Sequence, residues 1–179
     1  MAEFVQEYPI RLGNVAANYK AKKDTILADF QECFATFCAD NKIAAYDVIK
    51  DNLIWVVSNI NVQFFDELPL WREKLRVKIW VSEVKKLRAY LDFRVYHNED
   101  LVAEGDSCFF LLDAMTRRPK PIDKVIEPLG IVNKRVFENH DRRELFDFKD
   151  KVCENDLTVN FNDLDFNGHV NNLSYVSWA

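Results

Sequence analysis

The sequence predicts an α+β fold, an antiparallel sheet wrapped around one long helix, and three observations carry that prediction. A single stretch, DTILADFQECFATFCADN, sets Ile26, Leu27, Phe30, Cys33, Phe34, Phe37 and Cys38 at helical spacing, which gives it one strongly apolar face. Four later stretches read as consecutive strands with short connections: NLIWVVSNINVQFF, KLRVKIWVSEVKK, LRAYLDFRVYHN and LVAEGDSCFFLLDAM. Strict alternation in Leu75, Val77 and Ile79, and again in Leu91, Phe93 and Val95, gives these strands one buried side each, which is the surface the helix needs to cover.

Taken in order, EFVQEYPIRL opens the chain as a short strand, and the polar stretch GNVAANYKAKKD follows it. The helix comes next, with Asp24 or Thr25 as its N-terminal cap and Asp40-Asn41 as its stop. After the sheet-forming run, in which His97 to Asp100 marks a hairpin turn, the composition shifts. Pro119, Pro121, Pro128, Gly130 and the charged run ENHDRRELFDFKDK predict a connecting segment. The pattern then restarts: DLTVNFNDL alternates Leu157, Val159 and Phe161 as a strand, a polar loop follows, and NNLSYVSWA has the Asn cap and apolar spacing of a helix onset. Strand, polar loop and helix thus recur in the order seen over residues 4 to 38, with little residue identity between the copies. The expected organisation is one complete module over 1–118, a connecting segment over 119–156, and over 157–179 the first strand, loop and helix start of a second module.

Bulk properties limit the function. The chain has 179 residues, 49% of them hydrophobic and 13% aromatic, enough for a substantial core. No apolar run approaches the roughly 20 residues of a membrane helix. The start, MAEFVQEYPIRLG, has neither the basic and apolar regions of a secretory signal nor the Arg and Ser of a transit peptide, so cytoplasm is the expected compartment. A formal net charge of -5 argues against a nucleic-acid surface. Basic clusters do occur at Lys20, Lys22 and Lys23, at Lys85, Lys86 and Arg88, and at Arg117, Arg118 and Lys120; each reads either as a solvated face or as a docking patch for an acidic partner. Cys33, Cys38, Cys108 and Cys153 are scattered, with no metal-ligand or disulfide spacing, and read as reduced, packed thiols. No cofactor and no metal are expected.

The densest set of chemically able side chains is NDLDFNGHVNN, residues 162 to 172. Asp163, Asp165, Asn167 and Gly168 match the opening of a calcium loop, but the closing position is Ser174 where a bidentate Glu is needed, and the preceding segment alternates like a strand. A plain turn is the other reading, because Asp, Asn and Gly favour turns without any chemistry. Against it stands a hydrolytic set. Asp165, Asn167 and His169 alternate, so in an extended stretch they project to one side. A histidine accepts a proton near neutral pH, a carboxylate orients it, and an Asn amide holds a carbonyl or a water. Gly168 allows close approach to the backbone, and the N–H groups of the helix opened by Asn171 and Asn172 can face an oxyanion, which makes these three the candidate substrate-binding positions. His97 and His140 lack such company and read as surface histidines.

The stretch DLDFNGHVNNLSYVSW closely resembles the motif that opens the second half of the fatty acyl-ACP thioesterases of bacteria and plants. NLIWVVSNINVQFFDELPLWREKLRVKIWV resembles the family's first-half strands, and CFFLLDAMTRRPKPI resembles the strand that ends in its Thr-Arg-Arg element, so similarity runs over nearly the whole chain. The resemblance implies a double hotdog fold, two modules each with a curved antiparallel sheet around a helix, the first supplying the acyl-chain pocket and the second the catalytic loop. It implies His169 as proton acceptor in a water-activating network, Asp165 as its electrostatic partner or orienter, and Asn167 as holder of substrate or water. The corresponding first-module loop, NVAANYKAKKD, has no Asp-Asn-His set; its lysines, with Arg117 and Arg118, are candidates to meet the acidic acyl carrier protein. The family's further catalytic position lies downstream of the second helix, beyond Ala179, so the sequence reads as a truncated member. Two alternatives stand beside acyl-ACP hydrolysis: hydrolysis of acyl-CoA by a related hotdog enzyme, and a non-catalytic acyl- or carrier-binding module. An orphaned second half also invites a homodimer.

Overall fold

Helix α1, Lys23–Asp40, has a sheet wrapped around it because the predicted apolar stripe is real: Ile26, Leu27, Phe30, Cys33, Phe34, Phe37 and Cys38 are all buried. The computed structural model describes residues 3–65, 68–138, 156–165 and 168–178. The chain divides into two units, residues 1–140 and 141–179.

The first unit is built on five principal strands, β1 Glu3–Pro9, β2 Leu53–Phe64, β3 Lys74–Lys85, β4 Arg88–His97 and β5 Asp100–Asp113, in the antiparallel order β1-β3-β4-β5-β2, with the two-residue β6, Pro119–Lys120, paired to β5. Alternate residues of the central strands face α1. Phe30 stacks on Phe93 with ring centroids 4.2 Å apart, Phe34 meets Phe109 at 4.5 Å, and Phe37 meets Phe4 at 4.9 Å. Gly105 sits beneath the first of these pairs, where a Cβ would fall 2.4 Å from the Phe93 ring and 2.3 Å from the Asn61 carbonyl oxygen. Only a residue without a side chain lets β5 pass that close.

The helix does not begin as the sequence suggests. Lys22, and neither Asp24 nor Thr25, occupies the N-cap, and no side chain caps it. A hairpin over residues 14–22 does that work instead: the main-chain carbonyl of Asn14 accepts the Lys22 N–H at 2.9 Å and the Thr25 hydroxyl at 3.0 Å.

The opposite face of the sheet carries a polar row. Trp80, Asp92, Asp106 and Asn61 are cross-strand neighbours from β3 to β2, and the first three are buried. Asn61 Nδ2 donates to Asp106 Oδ1 at 2.7 Å. Residues 131–138 cross this face as a strap. The Val132 N–H donates to the Val81 carbonyl at 2.8 Å, Trp80 Nε1 donates to the Lys134 carbonyl at 2.7 Å, and the Val136 N–H donates to Asp92 Oδ1 at 2.6 Å. The register shift in β3 between Val81 and Glu83 marks where the strap joins. The expected connecting segment is therefore packed over its first part: α3, Asp123–Ile126, is a single turn like α2, Ala45–Val48, between α1 and β2, and Ile122, Ile126 and Leu129 around α3 are core residues.

In the second unit the strand expected over Leu157 to Phe161 is absent. Residues 156–160 have no regular structure, Phe161–Asp163 form a 3-10 turn, and Phe161 is 88% exposed. A strand exists only by pairing, and the described residues of this unit hold no partner strand. The helix onset is present as α4, Asn172–Trp178. Among the described residues no helix is long and apolar enough to cross a membrane. Cys33, Cys38 and Cys108 are buried, and burial pushes the Cys33 thiol up to about 12; Cys153 and His140 lie outside the described residues.

Phe30→Ala is expected to lower unfolding free energy by about 3–5 kcal/mol, read from the urea midpoint, because it empties the stack above Gly105. Burial, with Glu32 nearby and Arg11 opposing, lifts the Asp29 carboxyl on α1 from 3.8 to about 7. Across that window the native state keeps a proton the unfolded chain has lost, so this group's effect is to lower stability as pH rises from 3.8 to about 7. Asp29→Asn is expected to be more stable than the parent at pH 8 and to lose that advantage at pH 4, measured by denaturation at both values.

Candidate active site

The candidate site is a tight hairpin, and this changes how its residues come together. Leu164 and Val170 form an antiparallel bridge, the Asp165 N–H donates to the His169 carbonyl at 2.7 Å, and the Gly168 N–H donates to the Asp165 carbonyl at 3.0 Å. The stretch is thus not extended, and strand alternation is not what gathers the catalytic set. Asp165 and His169 are neighbours because the chain turns back between them. Gly168 makes the turn with φ 75, a left-handed conformation that a Cβ disfavours, and the space where a Cβ would project is open. That open side leaves the Gly168 backbone approachable, which the substrate-binding role expected of it would need.

Asp165 acts on His169 through the main chain. Its Oδ1 accepts the His169 backbone N–H at 3.0 Å, which fixes where the imidazole leaves the hairpin. Asp165 is half-buried and His169 is exposed. Asn167 lies outside the described residues. Asn171 caps α4: its Oδ1 accepts the Leu173 N–H at 3.0 Å, while its own N–H donates to the Asp163 carbonyl at 2.7 Å. Asn172 is the exposed first residue of α4. The sequence marks Asp163 only as a calcium-loop or turn position, yet it braces the loop on both sides. Its carbonyl also accepts the Ser174 hydroxyl at 3.3 Å, and its Oδ2 accepts the Asn160 N–H at 2.8 Å.

Among the described residues no cluster of His, Cys, Asp or Glu is arranged to hold a metal ion. The first unit has a polar cleft of about 440 Å³ lined by Glu7, Glu73, Lys74, Arg76, His97 and their neighbours. Its ion pairs are internal, Lys74 with Glu7 and Arg76 with Glu99, and the His97 ring lies 3.4 Å from a Glu73 carboxylate oxygen. His97 is half-buried at the end of β4 beside the hairpin turn.

A family model for the acyl-ACP thioesterase N-terminal domain matches residues 1–129, and one for the C-terminal domain matches residues 147–179. The chain belongs to the acyl-ACP thioesterase family. The Arabidopsis thaliana protein named palmitoyl-acyl carrier protein thioesterase, chloroplastic, is 30% identical over 190 residues, covering 98% of this chain and 46% of its own length. The chain thus spans about half the length of the curated relatives it matches. The crystal structure of an acyl-ACP thioesterase from Bacteroides thetaiotaomicron shares the fold with a TM-score of 0.78 at 22% identity, over 98% of this chain and 71% of that one. A 1,4-dihydroxy-2-naphthoyl-CoA thioesterase from Synechocystis shares it more loosely, with a TM-score of 0.65 at 13% identity over 71% of this chain and 94% of that one. The architecture is the hotdog fold, and in this acyl-ACP thioesterase chain the first hotdog module is complete.

Gly168→Ala is expected to strain the turn by roughly 1–2 kcal/mol. The measurement is amide hydrogen exchange, which should accelerate at Asp165 and His169 while α1 is unaffected. Asp165→Asn, which keeps an oxygen acceptor, is expected to preserve the slow exchange of the His169 N–H, and Asp165→Ala to lose it.

Proposed function

We propose that the protein carrying this chain hydrolyses fatty acyl-ACP to free fatty acid and holo-ACP in fatty acid biosynthesis. The observation that supports it best is the Asp165–His169 hairpin, in which a carboxylate holds the backbone of a solvent-exposed histidine in a chain of the acyl-ACP thioesterase family. His169 takes a proton from water as the water oxygen adds to the thioester carbonyl. The C–S bond then breaks, the carbonyl re-forms as the fatty acid, and the proton goes to the departing thiolate of the carrier. Asp165 keeps the imidazole aimed by its bond to the main chain. Asn167, by its place in the motif, holds the water or the carbonyl, and Gly168 with Asn172 borders the oxygen that carries developing charge.

Two readings compete. The fold is shared with a CoA thioesterase, which favours acyl-CoA as the alternative substrate. The other alternative is an acyl- or carrier-binding module that does not turn over. A homodimer is the assembly proposed for the isolated chain, since β2 pairs only with β5 among the described residues and its other edge is open to a second copy.

The test is thiol release from a long-chain acyl-ACP and from the CoA thioester of the same chain length. Faster release from the carrier thioester is expected, with His169→Ala lowering it by roughly 10²–10⁴-fold. Equal rates from both donors favour the CoA reading, and acyl binding without release, unchanged in His169→Ala, favours the binding module.

A further inference from the structure

The hairpin that precedes α4 has a main-chain counterpart before α1. Three main-chain bonds, one hydroxyl bond and one bridge of the second loop recur in the first with both partners shifted by one constant interval. The pair Asp165 N–H to His169 carbonyl answers Ala16 N–H to Lys20 carbonyl; Gly168 to Asp165 answers Tyr19 to Ala16; Asn171 to Asp163 answers Lys22 to Asn14. The hydroxyl of Ser174 on the Asp163 carbonyl answers that of Thr25 on Asn14. The bridge Leu164 to Val170 answers Val15 to Ala21. The backbone is the same and the chemistry is not: Ala16 stands for Asp165, Lys20 for His169 and Tyr19 for Gly168.

Tyr19 is the informative exchange. It holds φ 61 where its counterpart holds φ 75 with a glycine, a left-handed conformation that a tyrosine adopts only at a cost. No packing inside the described first unit offsets that cost, because Tyr19 is 61% exposed. Beside it stands a second turn. The Trp71 N–H donates to the Tyr19 carbonyl at 2.9 Å, and Lys20 bridges to Leu70. Leu70 and Trp71 are 48% and 44% exposed, and Arg72, itself left-handed at φ 75, lies over the Trp71 ring. Lys22, Lys23 and Arg72 are exposed around this apolar tip and form no ion pair among the described residues. Among the described residues of this turn the acid is Glu73, which is engaged by the Leu70 N–H at 2.6 Å and lies beside His97. Exposed Trp and Tyr ringed by cations is the composition of a protein-binding hot spot for an acidic surface.

We propose that this disarmed copy of the loop is the docking surface for an acidic protein partner, with Tyr19, Leu70 and Trp71 as the contact and Lys22, Lys23 and Arg72 as its charged rim. The proposal rests on the acyl-carrier reading above, which makes the carrier protein that partner. It also divides the basic candidates. Lys20 to Lys23 neighbour the turn that feeds the start of β3, whereas Arg117 and Arg118 follow the end of β5, and the length of β5 separates the two ends of the sheet by roughly 40 Å. One small carrier cannot engage both, and only the first has aromatic anchors beside it.

The experiment titrates the full chain with holo-ACP, which bears no acyl group, so that binding is read without hydrolysis. Lys22→Glu with Lys23→Glu is expected to weaken binding by roughly tenfold or more and to flatten its salt dependence. Tyr19→Gly is expected to hold or raise the melting temperature while weakening binding, a combination that a merely structural tyrosine does not give. Arg117→Glu with Arg118→Glu is expected to leave affinity within about twofold of the parent. Undiminished binding in Tyr19→Gly and in the double lysine variant overturns the proposal. So does equal loss in the arginine variant, or capture by phosphatidylglycerol vesicles with holo-ACP unbound. Release of thiol from a small-molecule thioester, which has no protein surface, reports the hydrolytic reading separately.

Discussion

The constraint on which both modules depend is a single main-chain carbonyl ahead of each helix, Asn14 before α1 and Asp163 before α4, each taking an N–H and a hydroxyl from the residues that begin the helix. The first of these bonds satisfies a main-chain donor at the helix start, the hydroxyl bond ties the first turn to the same carbonyl, and together they close the intervening residues into a hairpin with one left-handed position. Once the hairpin is closed, the residues at its two ends are neighbours whatever their side chains. Asp165 and His169 inherit their proximity from this geometry, as Ala16 and Lys20 do.

Chemistry then depends on a few substitutions on a common frame. In the second copy a glycine takes the left-handed position at little cost, and the carboxylate across the turn secures the histidine backbone. In the first copy a tyrosine takes that position at a cost, and no carboxylate or imidazole is present. Its neighbours are cations and exposed aromatic rings instead. The division fits the proposed hydrolysis of a thioester borne by a carrier protein, in which proton transfer would need a precise, braced histidine and docking would need exposed area and charge.

Much of this was legible in the sequence. The apolar stripe from Ile26 to Cys38 and the alternation in β3 and β4 report burial directly, so α1 and the sheet it packs on are where periodicity places them. The repeat of strand, loop and helix was visible as an order of elements, but its depth was not, because hydrogen bonds between main-chain atoms leave no residue identity to detect. Strand pairing is equally silent. Leu157, Val159 and Phe161 alternate as well as any strand here, and the described residues hold no partner strand for them. Ile122, Ile126 and Leu129 were hidden among prolines and charges, whose turn signals outweigh three apolar residues. The extended reading of Asp165 to His169 misses the geometry of the loop, since a left-handed glycine reverses the chain where alternation assumes it runs straight.

The central claim is that one backbone frame carries two functions according to its side chains. Its most direct measurement is an exchange of loops, with Ala16 to Lys20 replaced by the Asp-Phe-Asn-Gly-His of the second copy, followed by amide hydrogen exchange at Lys22 and by carrier binding. Unchanged protection at Lys22, together with loss of carrier affinity, is the expected result. Loss of protection there, or carrier affinity equal to that of the parent, would contradict it.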